Sequence, residues 1–200
     1  MDNSGNTLYP VFLKLEQLQL LLVGAGNVAL EKLESLLRNT PNASITIVAP
    51  VLKDELRAYI KNYPGCILFE RNYEAGDLQH KQLVICATDD KALHQKIKEQ
   101  ANAAGILVNV ADTPDLCDFY LGSIVQKGNL KIAISTNGKS PTIAKRVKEL
   151  LNETLPAEID DLLQNMQLVR NNISGDFAEK VKQLNELTKS LIKKQNDGQQ

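Results

Sequence analysis

Between Leu18 and Leu37 an apolar run, Leu20-Leu21-Leu22-Val23, passes directly into Gly24-Ala25-Gly26-Asn27-Val28-Ala29 and then into a helical pattern. That order reads as strand, tight glycine turn, helix. Such a turn lets backbone N–H groups and the partly positive end of a helix approach a pyrophosphate. Gly24 allows the turn, Gly26 the close approach, and Ala29 the packing of helix on strand. The pattern G-x-G-x-x-A is therefore a candidate dinucleotide site. The alternative is a glycine-rich turn that binds nothing.

The flanking pattern extends the same grammar. Val28, Leu33, Leu36 and Leu37 give a helix an apolar face, and Pro41 ends that helix near Asn39. Ser44 to Ala49 reads as a second strand, Lys53 to Lys61 as a short helix, and Cys66 to Phe69 as a third strand. Leu83 to Ala87 is a continuous apolar run of the kind buried inside parallel sheets. Thr88-Asp89-Asp90 starts a helix carrying Leu93, Ile97 and Ala101, which stops at Gly105 before the strand Ile106 to Val110. Strands alternating with helices predict an α/β fold with a Rossmann-type, doubly wound parallel sheet. Ahead of it, Leu8 to Leu13 is an extended segment expected to cover the sheet, with Pro10 restricting it to an edge or a strand start.

After Asp112 the pattern changes. Ser123 to Lys127 and Leu130 to Ser135 flank Gly128-Asn129 and predict a β-hairpin. A lone hairpin is marginal in water and this one has no obvious intrachain cover, so a homodimer burying Ile132 and Ile134 is expected. From Pro141 onward three apolar stripes predict helices: Ile143, Val147, Leu150 and Leu151; Ile159, Leu162, Leu163 and Met166; Phe177, Val181, Leu184 and Leu191. Ser174-Gly175-Asp176 separates the last two, and the tail from Lys193 to Gln200 is polar. The division expected is 1–112 for dinucleotide binding, 113–145 for dimerisation and 146–200 for a small C-terminal helical domain.

A net charge of −1 over 200 residues argues against whole-molecule attraction to nucleic acid or to an anionic membrane. The N-terminal residues carry neither a basic nor an apolar signal region, so a cytoplasmic protein is expected. Cys66, Cys86 and Cys117 are odd in number and far apart, which suits reduced thiols, with Cys86 in the core. With only His80 and His94 besides them, no cluster has zinc-site spacing, and no metal site is expected.

Two further stretches could carry chemistry. Asp112 follows the strand ending Asn109-Val110-Ala111, at the sheet edge where ligands bind. A carboxylate there could exchange a proton while a hydride moves to a nicotinamide, or it could simply shape the turn before Pro114. Ser135 to Pro141 precedes a helix, with Ser140 suited to cap it, and helix N-termini favour anions. The surrounding segment from Ser123 to Lys148 holds six basic residues (Lys127, Lys131, Lys139, Lys145, Arg146, Lys148) and no acidic one. It could receive a polyanion or be a solvated face. Val48-Ala49-Pro50-Val51 lacks the acidic residue that commonly holds the adenine ribose, leaving backbone around Pro50 and Val51 for that task. No arginine stands there for a 2′-phosphate, so NAD is expected rather than NADP.

Six motifs in order resemble the precorrin-2 dehydrogenases of sirohaem synthesis, free-standing or as the N-terminal part of sirohaem synthases. They are Tyr9-Pro10-Val11-Phe12-Leu13, Val23 to Ala29, Ile45 to Pro50, Ala87-Thr88-Asp89-Asp90, Asn109 to Asp112, and Ile134 to Pro141. The resemblance spans Tyr9 to Arg170 and implies NAD-dependent oxidation of precorrin-2 to sirohydrochlorin. It implies that Gly24, Gly26, Asn27 and Val28 contact the cofactor phosphates, Pro50 and Val51 the adenosine end, and Thr88 and Asn109 the nicotinamide side. Asp112 matches the aspartate implicated in catalysis. The carboxylate-rich tetrapyrrole is expected towards Thr136, Lys139 and Ser140. Ala25 stands where a third glycine is common, Glu31-Lys32 where Arg-Lys is usual, and Thr136-Asn137 where some relatives have Ser-Gly. Some members also insert Fe²⁺ into sirohydrochlorin, so a bifunctional dehydrogenase and ferrochelatase is one alternative. A nucleotide-sensing Rossmann module without chemistry is another.

Overall fold

The computed structural model of this chain describes residues 5–172 and 177–188, and its contacts divide the chain into two compact units, residues 1–121 and 122–200. The first unit is built on five parallel strands: β1 (Gln19–Val23), β2 (Ser44–Val48), β3 (Cys66–Phe69), β4 (Leu83–Cys86) and β5 (Leu107–Val110). Their order is β3-β2-β1-β4-β5. The central β1 is apolar throughout its buried length, and Leu20, Leu21, Leu22 and Val23 are each at most 2% exposed, as a strand covered on both faces requires.

Successive side chains of β1 serve opposite layers. Leu20 and Leu22 pack with Leu33 and Leu37 of α1 (Asn27–Asn39) and Leu56 of α2 (Asp54–Ile60). Leu21 and Val23 pack with Ile97 and Ala101 of α3 (Lys91–Ala103). Helices on both faces of a parallel sheet give the Rossmann-type, doubly wound arrangement expected from the sequence. Asp90 caps α3, its side chain accepting from Leu93 N at 2.9 Å.

One expectation about this unit is corrected. Leu8 to Leu13 forms no strand and does not cover the sheet: Tyr9 is 87% and Phe12 67% exposed. Pro10 has no N–H to offer a ladder, and α1, α2 and α3 already occupy the two faces. On α3 the expected Ile97 and Ala101 are buried, with Leu93 half-buried against the same cluster and His94 buried beside them.

In the second unit β6 (Ser123–Lys127) and β7 (Leu130–Ile134) form the antiparallel hairpin, followed by α4 (Pro141–Thr154), α5 (Ile159–Asn172) and α6 (Phe177–Thr188). Backbone φ is +54° at Gly128 and not positive at Asn129, the II′ pattern that suits strand twist. The hairpin is not left uncovered as expected. Helix α4 packs against it, leaving Val125 1% and Ala144 6% exposed. Asp160 in the first turn of α5 holds the hairpin turn, its Oδ1 accepting from Asn129 N (2.6 Å) and Asn129 Nδ2 (2.9 Å). The break at Ser174-Gly175-Asp176, Leu191 and the tail from Lys193 lie outside the described residues. No described helix is long and apolar enough to cross a membrane.

The backbone N–H and side-chain amide of Asn129 hold the Asp160 carboxyl below its ordinary pKa. A carboxyl depressed on folding contributes stability above its unfolded pKa, about 3.9, and loses it as pH falls through the lower folded value. Asp160→Asn is therefore expected to lower Tm at neutral pH, with the gap from the unaltered protein closing in acid below about pH 4. Thermal scans across that range check it, and a gap that persists unchanged in acid contradicts the role given to the charge.

A candidate cofactor cleft at the carboxyl edge of the sheet

Val23 pairs with Val48 and Cys86, and Cys86 with Val110, so the residues that follow (Gly24, Ala49, Ala87 and Ala111) stand level in a row. Backbone bonds tie the row together: Gly24 N to Val48 O (2.9 Å), Ala87 N to Val23 O (2.8 Å) and Ala111 N to Cys86 O (2.9 Å). These four small residues line a cleft of about 720 Å³ over the strand ends, where open α/β sheets bind ligands.

Gly24 is required twice over, since its φ is +111° and a Cβ there would fall on the carbonyl of Ala87. At Gly26 a Cβ would meet nothing, so the space above the first turn of α1 is open. Gly26 is also the N-cap of that helix, with no side chain capping it and no acidic residue in the first turn. The N–H groups of Asn27, Val28 and Ala29 have no helical carbonyl to meet, and the helix end carries partial positive charge. Lys53 adds its ammonium beside this end, Nζ donating to Asn27 Oδ1 at 2.5 Å. Open space, free donors and positive charge together fit a pyrophosphate.

Pro50 and Val51 line the cleft beyond β2, with Val51 79% exposed. Asn72 and Tyr73 line it as well, neither of them singled out from the sequence. Tyr73 is held by its hydroxyl donating to Gln100 Oε1 (2.8 Å), and burial pushes its phenol up to about 12. The preceding Arg71 grips Asp77 through Nη1 to Oδ2 (2.9 Å) and Nη2 to Oδ1 (2.6 Å). Burial raises the Asp77 carboxyl, but that guanidinium and the Glu74 N–H more than offset it and hold the group below its usual pKa.

Beyond β4, Thr88 Oγ1 lies 2.8 Å from His94 Nε2 and accepts from Asp90 N at 3.3 Å. Beyond β5, Asp112 lines the cleft with φ +57°, a left-handed conformation that Asp tolerates better than most residues. Its turn is closed by backbone bonds, Thr113 N to Val110 O (3.3 Å) and Leu116 N to Thr113 O (3.1 Å). Among the described residues none donates a hydrogen bond to the Asp112 carboxylate.

Asn109 does not join the cleft. Strand alternation turns it away from the face of Val108 and Val110, it is 6% exposed, and its Nδ2 donates to Phe119 O at 2.8 Å. It anchors the chain after β5 instead of lining the site. In the second unit, Thr136, Lys139 and Ser140 share the loop before α4, where Ser140 N donates to Thr136 Oγ1 (3.3 Å) and Ser140 Oγ caps Ile143 N (3.2 Å). The cleft thus gathers Gly24, Gly26, Asn27, Val28, Pro50, Val51, Thr88 and Asp112. Sequence reasoning missed His94 and the row of alanines. An alanine after each of β2, β4 and β5 was the legible signal for the latter.

Residues 11–123 match the family described as "Putative NAD(P)-binding", and residues 127–154 match "Sirohaem biosynthesis protein central". The siroheme synthase of Psychrobacter cryohalolentis is 36% identical over 174 residues, 87% of this chain and 31% of that protein. The siroheme synthase of Pseudoalteromonas atlantica is 37% identical over 169 residues, 84% of this chain and 36% of that protein. The chain thus spans about a third of the length of these relatives. The solved structure of SirC, a precorrin-2 dehydrogenase, has the same fold, with a TM-score of 0.72 at 24% identity, covering 90% of this chain and 89% of that one.

Gly26→Asp should fold, since φ is −83° and a Cβ meets nothing, yet lose dinucleotide binding by tenfold or more, about 1.4 kcal/mol. Calorimetric titration with NAD⁺ checks this, and an unchanged Kd in the folded variant contradicts the placement of the pyrophosphate.

Proposed function

Because the chain belongs to this NAD(P)-binding family, we propose that it is a cytoplasmic, homodimeric precorrin-2 dehydrogenase that oxidises precorrin-2 to sirohydrochlorin. Its likeness to siroheme synthases and to SirC supports that substrate. The observation that carries the reading is the shared cleft: the open turn at Gly26 and the carboxylate of Asp112 line one cavity. In balance, precorrin-2 and NAD⁺ give sirohydrochlorin, NADH and H⁺.

Bound NAD⁺ supplies the hydride acceptor. Gly24 makes the turn and Gly26 leaves room for its phosphates, with the N–H groups of Asn27 and Val28 as donors and Lys53 as counter-charge. Pro50 and Val51 bound the adenosine end, and the absence of arginine from Val48-Ala49-Pro50-Val51 favours NAD over NADP. Thr88 serves the nicotinamide half. Asp112 takes the proton released as the hydride departs, its carboxylate accepting no hydrogen bond from the described residues. Thr136, Lys139 and Ser140, within the basic segment from Lys127 to Lys148, hold carboxylates of the tetrapyrrole.

Mixing protein, precorrin-2 and NAD⁺ should yield NADH, and a parallel arm with Fe²⁺ reads any insertion of iron into the product. Dinucleotide binding without NADH would instead make this a sensing module. Asp112→Asn should keep NAD⁺ affinity, because Asn also tolerates the left-handed backbone, and should lower the rate about 10²- to 10⁴-fold. A rate within threefold of the unaltered protein removes Asp112 from the chemistry.

The dimer proposal rests on apolar surface in the second unit. Ile132 and Ile134 remain half-buried although α4 packs on the hairpin, and α4 itself leaves Ile143 55% and Leu150 60% exposed. Sedimentation at micromolar concentration should show a dimer, and a strict monomer contradicts it.

A further inference from the structure

His94 stands in the first turn of α3, 3% exposed, with Nε2 against Thr88 Oγ1 at 2.8 Å and Nδ1 without a partner. A neutral imidazole carries one donor and one acceptor, and which nitrogen holds the proton follows from the bonds available. A buried N–H with nothing to meet is rarer than an unused acceptor. The unpartnered Nδ1 is therefore the bare nitrogen, and the proton resides on Nε2. Burial, which lowers the imidazole's pKa against the opposing pull of Asp90 and Asp89, keeps the ring in this neutral form.

The consequence falls on Thr88. Its Oγ1 already accepts from Asp90 N at 3.3 Å, and with Nε2–H as a second donor both of its lone pairs are engaged. The hydroxyl hydrogen can then only be donated. Thr88 lines the cleft at the end of β4, and a Cβ on Gly24 would come within 3.0 Å of its Cγ2, so its methyl group sits beside the glycine turn. We infer that His94 is a positioning residue that turns Thr88 into an obligate hydrogen-bond donor toward an acceptor on the nicotinamide half of the cofactor. The inference deepens the dinucleotide reading and rests on it.

In an open parallel sheet of this order the adenosine half lies toward β2, so a donor beyond β4 serves the other half. Calorimetric titration of the full chain with NAD⁺ and with ADP-ribose, which lacks the nicotinamide, separates the two. His94→Leu and Thr88→Val should each weaken NAD⁺ binding about 3- to 10-fold, the range of one neutral hydrogen bond, and leave ADP-ribose binding unchanged. The double variant should bind no more weakly than Thr88→Val alone, because His94 acts through Thr88. His94→Gln, whose Nε2 amide can still donate, should recover affinity to within twofold.

In the unaltered protein, ¹⁵N spectra of the imidazole should show Nδ1 unprotonated, a readout that survives even if His94→Leu fails to fold. A proton on Nδ1, additive losses in the double variant, or an equal loss of ADP-ribose binding overturns the inference while leaving the dinucleotide site in place. Failure of the unaltered chain to bind any nicotinamide dinucleotide overturns both.

Discussion

At the carboxyl edge of the sheet, where the chain leaves β1 beside the end of β4, Gly24 leaves no room for a Cβ against the carbonyl of Ala87. That contact ends the central strand within the plane of the sheet and turns the chain into α1 without lifting it off its neighbours. The level row Gly24, Ala49, Ala87 and Ala111 depends on it, because the parallel register carries the end of β1 sideways to β2 and β4, and through β4 to β5. A larger residue at Gly24 would push the turn outward and close the cleft from its floor.

Around that floor the polar groups are arranged by two different means. At one end the donors are backbone: an uncapped helix terminus with no acidic residue in its first turn and Lys53 beside it. At the other end they are side chains whose conformations are set by their neighbours. Asp112 is presented by a left-handed backbone inside a turn that closes without it, and Thr88 is held by His94 and by the N–H of Asp90. The first arrangement suits a ligand defined by charge. The second suits groups whose direction matters to chemistry.

The second unit gains its stability in another way. A two-stranded hairpin has little core of its own, and here it is braced by α4 along its length and by Asp160 at its turn. Gly128 is confined there by its positive φ and by the Asp160 carboxyl, which occupies the space a Cβ would take. This bond joins residues thirty-one positions apart in the chain, which is why nothing in the local pattern around Gly128-Asn129 foretold it.

By itself the sequence determined most of the elements and the glycine turn at one end of the cleft. Short apolar runs bounded by turn residues suit strands buried on both faces, Gly-x-Gly before a helical stripe suits a tight turn, and Pro41, Gly105 and Ser140 mark where helices stop or start. These are local consequences of backbone geometry and of burial. Only the tertiary structure decided what depends on direction across the sheet. It turned Asn109 away from the cleft and toward Phe119, left Tyr9 and Phe12 in solvent, and covered the hairpin with α4. It also set His94 against Thr88, a pair that share a hydrogen bond only because the end of β4 and the first turn of α3 fold back on one another. Hydrogen bonds of a single side chain are satisfied by whichever group the packing brings near, and that choice is not written in any one stretch of the chain.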